Sequence, residues 1–176
     1  MATFIITAIG DDRPGLVSAL SAPISAHGGS WLRSQMSRLA GKFAGIVLVS
    51  VADERLDALA AELRALEAQG LHVTLERTDE PGPRESQRLH LELLGADHPG
   101  IVAEVSAALA ARDVSIEELT TDVRDAPMSG GTLFEADAVL TAPSSTSTES
   151  LRSMLEGLAD ELMVEIRLSE DPDPRG

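Results

Sequence analysis

The sequence predicts an α+β fold built from two tandem βαββαβ units, each a four-stranded antiparallel sheet with two helices on one face. Three observations carry that expectation. The stretch Gly10-Asp11-Asp12-Arg13-Pro14-Gly15-Leu16-Val17 returns as Gly95-Ala96-Asp97-His98-Pro99-Gly100-Ile101-Val102, a constant shift of 85 positions. Each copy follows a short apolar run and opens a pattern with helical spacing. A pair of matching turns at a domain-sized interval marks two copies of one supersecondary unit. The 176 residues then divide into units of domain size.

The elements follow in order. Phe4 to Ile9 is apolar and β-branched and is closed by Gly10, which marks a strand. Pro14 suits a first helical turn, where its missing N–H is no loss, with Asp12 or Arg13 at the cap. Leu16, Val17, Leu20 and Ile24 continue at helical spacing, Pro23 introduces a kink, and Gly28-Gly29 stops the helix. Ser30 to Leu39 and Phe43 to Val51 form a hairpin turning at Ala40-Gly41-Lys42. Asp53 to Gln69 is a helix with Leu56, Leu59, Leu63 and Leu66 on one face, ended by Gly70. Leu71, Val73 and Leu75 alternate as a last strand.

The second unit repeats this order. Leu89, Leu91 and Leu93 alternate in a strand, and Ile101, Val102, Val105 and Leu109 follow the Pro99-Gly100 turn. Ser115 to Arg124 and Leu133 to Thr141 form its hairpin. Leu151, Met154, Leu155 and Leu158 mark its second helix, and Leu162, Val164, Ile166 and Leu168 its last strand. Matching Phe43 to Phe134 needs a shift of 91 instead of 85, so six extra residues fall in the second hairpin loop, around Ala126-Pro127-Met128-Ser129-Gly130-Gly131. The expected boundaries are 1–78 for the first domain, 79–87 for a Pro/Gly linker, 88–169 for the second domain and 170–176 for a disordered acidic tail. Right-handed crossovers place both helices of each unit on one sheet face, a ferredoxin-like layer whose other face is open. Taking Phe4, Ile6, Ala8, Phe43, Val47 and Val49 as helix-facing, the open side of the first unit carries Ile5, Thr7, Ile9, Ala44, Ile46 and Leu48. The second carries His90, Glu92, Leu94, Glu135, Asp137 and Val139. The first open face is apolar enough to need a partner, most simply in a homodimer.

Composition removes several function classes. With no cysteine there is no disulfide, thiolate metal site or cysteine nucleophile. A net charge of −15 argues against direct nucleic-acid binding, which needs a basic face. The chain has no Gly-x-Ser-x-Gly elbow or Walker pattern, and His27, His72, His90 and His98 form no sequence cluster at metal-ligand spacing. No catalytic constellation, metal or cofactor is therefore expected. No apolar run approaches a membrane span and no basic segment precedes Phe4-Ile5-Ile6, so the expected location is the cytoplasm.

The chemistry left is that of the two turns. A helix N-terminus offers unpaired backbone N–H groups, and glycine beside it lets a carboxylate or phosphate approach. The twin Asp-x-Pro-Gly-Leu/Ile-Val turns, each inside βαββαβ, resemble tandem ACT domains. Over about residues 3 to 169, including Ile6-Thr7-Ala8-Ile9-Gly10-Asp11-Asp12-Arg13-Pro14-Gly15, the chain resembles the glycine cleavage system transcriptional repressor family. That resemblance implies a non-enzymatic regulator that binds a small amino acid, glycine or serine-like, and controls a partner protein such as a DNA-binding transcription factor. The alternative is a ligand-free interaction and dimerisation module. The implied ligand-binding residues are Asp12, Arg13, Gly15, Leu16 and Ser30, with Asp97, His98, Gly100, Ile101 and Ser115 in the second unit. Ser30 and Ser115 stand where amino-acid-binding members carry an Asn across a domain interface. An Asp in place of Asn in the turn disfavours a ligand carboxylate and suits an α-ammonium group.

Overall fold

The computed structural model describes residues 1–79, 84–128 and 130–171. The chain forms two compact units, Met1–Gly82 and Pro83–Gly176. In the first, β1 (Ala2–Asp11) is followed by α1 (Leu16–Ala26), β2 (Ser30–Leu39), β3 (Lys42–Val51), α2 (Leu56–Ala65) and β4 (Leu71–Arg77). In the second, β5 (Ser86–Ala96), α3 (Ile101–Ala110), β6 (Ser115–Asp125), β7 (Thr132–Pro143), α4 (Thr148–Leu162) and β8 (Val164–Glu170) repeat that order. The sheets run β2-β3-β1-β4 and β6-β7-β5-β8, each antiparallel throughout.

Alternation along the central strands builds the cores. Phe4, Ile6 and Ala8 are buried from β1 with Val47 and Val49 from β3, against Leu16, Leu20 and Ile24 of α1 and Leu59 and Leu63 of α2. Leu89, Leu91 and Leu93 meet Ile101, Val105 and Leu109 of α3 and Leu151 and Leu155 of α4 in the same way. The open faces follow from the register. In the first unit Ile5 pairs with Leu48, Thr7 with Ile46 and Ile9 with Ala44. In the second His90 pairs with Val139, Glu92 with Asp137 and Leu94 with Glu135. The central strands show the apolar and charged characters expected for these two faces, although Leu48 is only 8% exposed and His72, Thr74 and Glu76 of β4 share the first face. Among the described residues no helix is long and apolar enough to cross a membrane.

Several boundaries differ from the sequence reading. The helix of the first unit begins at Leu16, not at Pro14, with Gly15 as its cap in the left-handed region at φ 92°. Residues Asp53 to Gln69 are not one helix: 3₁₀ turns at Asp53–Arg55 and Leu66–Gln69 flank α2. Leu162 closes α4 instead of opening β8, because Met163 turns the backbone left-handed at φ 57° before the strand begins. β5 starts at Ser86, inside the expected linker, and Glu170 belongs to β8, where it pairs with Leu89. Residues 80–83 of that linker, Ser129 of the long hairpin loop and residues 172–176 of the expected tail lie outside the described residues.

The two hairpins turn differently. Ala40 and Gly41 alone join β2 to β3, both with positive φ, 49° and 79°. A two-residue loop with both central residues left-handed is a type I′ turn, whose twist matches the strands. Alanine at its first central position carries the Cβ penalty of the left-handed region, about 1 kcal/mol or more, which asparagine largely escapes. Ala40→Asn is therefore expected to stabilise the protein by about 0.5–1 kcal/mol. Urea unfolding of the two proteins measures this; an unchanged or lowered midpoint contradicts it.

Candidate functional site

The two Asp-x-Pro-Gly turns adopt one geometry. Gly15 has φ 92° and ψ 1°, and Gly100 has φ 97° and ψ −8°. These are the angles of the third residue of a type II turn, for which proline is the favoured second residue. Pro14 and Pro99 thus set the turn just outside the helix, and the first helical residues are Leu16 and Ile101. Both are core residues, 4% and 2% exposed, so they can serve a ligand only through their backbone amides.

Each turn is tied at two points. The Asp12 amide donates to the Gly41 carbonyl, and the Asp97 amide to that of Thr132, both at 2.9 Å, which docks the turn onto the neighbouring hairpin. The residue between Asp and Pro makes the second tie. Arg13 Nη2 donates to the Gln69 carbonyl at 3.1 Å, and His98 Nε2 lies 2.8 Å from the Leu162 carbonyl. Gln69 and Leu162 occupy equivalent places, each just before a left-handed residue (Gly70 and Met163) that leads into the last strand. The sequence reading took Arg13 and His98 as ligand contacts, and the geometry engages both side chains in holding the turn. The carbonyls that end a helix have no partner within it, so cations and N–H donors are favoured there.

The surroundings of the two turns differ. In the first, Arg38 Nη1 lies 3.4 Å from Asp12 Oδ2, and Lys42 binds Asp11 and holds its carboxyl below the usual range. A Cβ built on Gly15 would meet nothing within 4 Å, and α1 has no acidic residue in its first turn. The second turn has Glu104 in the first turn of α3, with Oε1 3.7 Å from where a Gly100 Cβ would lie. The Asp97 carboxylate makes neither hydrogen bond nor ion pair among the described residues. The first turn thus pairs its Asp12 with Arg38 and has no acid in the first turn of its helix, whereas the second has Glu104 beside Gly100.

Ser30 and Ser115 are not brought to the turns of their own units. Ser30 pairs with Ser50, which pairs with Thr3, eight residues before Asp11. At about 3.3 Å per residue that is roughly 26 Å along the sheet. Ser115 lies level with Thr141 and Arg88 at the corresponding end of the second sheet. Only another unit could bring such a serine to a turn. Both serines begin edge strands, and both precede a bulge, between Trp31 and Arg33 and between Ile116 and Glu118. The duplicated bulge was not read from the sequence, because Leu32 and Glu117 share no local signal for one.

His98 makes the second turn sensitive to pH. Its Nε2 faces the Leu162 carbonyl and its Nδ1 the Pro99 carbonyl at 3.1 Å, and only the imidazolium donates from both nitrogens. The Leu162 carbonyl, then that of Pro99, raise its pKa above the usual 6.5; desolvation opposes them, and the charges of Asp97 and Glu104 add smaller upward contributions. A raised folded value means that the stability from His98 is complete below the unfolded value of about 6.5 and is lost as pH rises through the folded value. Unfolding of wild type and His98→Gln between pH 5 and 9 is expected to show a stability difference that is largest on the acid side and shrinks toward pH 9. Parallel pH profiles would contradict the tie.

The ACT domain profile matches residues 2–76 and 87–169. The chain is 24% identical over 160 residues to the glycine cleavage system transcriptional repressor of Escherichia coli (strain K12), covering 90% of this chain and 84% of that protein. A crystal structure of an unknown protein from Galdieria sulphuraria superposes with a TM-score of 0.87 at 29% identity, covering 97% of this chain and 99% of that one. A structure described as a candidate glycine cleavage system transcriptional repressor superposes at 0.76 with 18% identity, covering 98% of each chain. With both βαββαβ units matched and each carrying the same left-handed Pro-Gly turn, the chain belongs to the ACT domain family as a tandem pair.

Proposed function

We propose that this protein is a non-enzymatic regulator that binds a small amino acid, glycine or serine-like, and passes that state to a protein partner. The observation that carries the reading is the first turn, where a helix N-terminus with no first-turn acid lies beside open space over Gly15. The ligand carboxylate takes the amides at the start of α1 and the Arg38 guanidinium, and the α-ammonium takes Asp12. Ser30 of a second copy closes the site, which explains why the serine lies so far from the turn of its own unit. Small ligands are favoured because a large side chain would have no built pocket to enter.

Similarity to the Escherichia coli glycine cleavage system transcriptional repressor over most of both chains supports a role in glycine-cleavage gene control. The net charge of −15 favours a route through a DNA-binding transcription factor over direct contact with DNA, whose phosphates repel an acidic surface. A ligand that binds the folded state alone, at 100 times its dissociation constant, stabilises it by about 2.7 kcal/mol. Thermal unfolding with each amino acid in turn is expected to show a raised midpoint with glycine or serine, lost in Gly15→Val. No shift with any amino acid at millimolar concentration would overturn the sensing role.

The apolar open face of the first sheet supports a homodimer. Ile9 and Ile46 are 46% and 47% exposed there, beside a hollow lined by Ile5, Arg33, Gln35, Ile46 and Leu48. The same face favours the second reading, an interaction module that binds no metabolite. If a partner copy covers this face, Ile46→Glu buries an unpaired charge and breaks the dimer, whereas at a solvated site it would change stability by about 0.5 kcal/mol or less. Light scattering at micromolar concentration is expected to give a dimer for wild type and a monomer for Ile46→Glu. A monomeric wild type contradicts the dimer.

A further inference from the structure

We propose that the open face of the second sheet binds a divalent transition-metal ion, zinc by preference, on His90, Glu92 and Asp137. His90 and Glu92 are two apart on β5 and so project from the same face, and the register sets Asp137 of β7 directly opposite Glu92. The ligand atoms of the three side chains lie within 4.8 Å of one another. His90 Nε2 and Asp137 Oδ1 are 3.1 Å apart. Bonds of about 2.0–2.1 Å to an ion between those two atoms would meet at an angle of roughly 95–100°, close to what tetrahedral or octahedral coordination requires. One imidazole nitrogen and two carboxylates form a zinc-type donor set, and the remaining coordination positions are left to water.

The charge of this face bears on the same site. Like charges placed directly opposite on neighbouring antiparallel strands destabilise a sheet, and Glu92 opposite Asp137 is such a pair, offset on the other side of Glu92 by Arg167 of β8. Asp122 opposite Glu135 is another on the same face. The hollow over them is lined by Glu92, Glu135, Asp137 and Glu165, with Arg167 beside them, and Arg124 is already paired to Glu135. An ion held by His90, Glu92 and Asp137 would relieve that repulsion. The imidazole is what separates such a site from an acidic surface that gathers cations diffusely, since it favours zinc over magnesium or calcium. The matching positions of the first sheet are Ile5, Thr7 and Ile46, which offer no imidazole or carboxylate. The sequence carried half of the signal, His90-x-Glu92 on a strand; Asp137 joins only once the register is known.

The test uses the full chain, freed of metal by a chelator and titrated with zinc against a chromophoric competitor. The expected result is one zinc per chain at micromolar concentration and a raised thermal midpoint. Affinity should fall at least tenfold in His90→Ala and in Asp137→Asn, while a variant lacking His27 and His72 keeps it. Magnesium at the same concentration should neither compete nor shift the midpoint. Circular dichroism checks the fold of each variant, and the isosteric Asp137→Asn decides if His90→Ala does not fold. Wild-type protein that takes up no zinc, variants that bind it as wild type does, or equal competition by magnesium would each overturn the proposal. Because the readout is zinc itself, the outcome is independent of whether an amino acid binds at Gly15.

Discussion

The rest of the structure depends on a backbone constraint at the end of each central strand. After β1 and β5 the chain must leave the sheet, reverse, and enter a helix that returns across its face. Proline followed by a left-handed glycine makes that reversal in one turn, at φ values of 92° and 97° that other residues adopt only under strain. A backbone N–H hydrogen bond to the hairpin and a side-chain hydrogen bond to a helix-end carbonyl then fix the turn from both sides. Arg13 and His98 make the second bond with different chemistry in the two copies. The duplication therefore preserves a position and its hydrogen-bond acceptor, not a residue type.

The same duplication separates the two sheet faces. Both helix-facing sides kept the alternation of large aliphatic residues that a core requires. The open sides diverged, one toward exposed isoleucine and one toward opposed carboxylates with a histidine among them. An apolar open face has its most favourable state against another surface, and a charged one remains stable in water. The two units share a fold, and their open faces differ in chemical character.

Much of this was legible in the sequence, for identifiable reasons. The order of elements follows from periodicity and glycine punctuation, and the repeated turn located both helix starts to within a few residues. The errors fall where local signals were ambiguous. Pro14 is as acceptable just outside a helix as in its first turn, so the cap moved to Gly15. Leu162 fits either the end of α4 or the start of β8, and the left-handed Met163 decides for the helix. What no local pattern could give is anything that depends on register or on carbonyl positions. The bulges after Ser30 and Ser115, the ties of Arg13 and His98, and the approach of Asp137 to His90 are of that kind.

The central claim is that the left-handed turn before α1 is a ligand site as well as a connection. The most direct measurement is a titration of isotopically labelled protein with glycine and serine, following the backbone amide resonances. The account predicts saturable shifts at Asp12, Gly15 and Leu16, accompanied by Ser30 from the far end of a neighbouring sheet. Shifts scattered over the surface, or none at millimolar ligand, would contradict it and leave the turn a structural device alone.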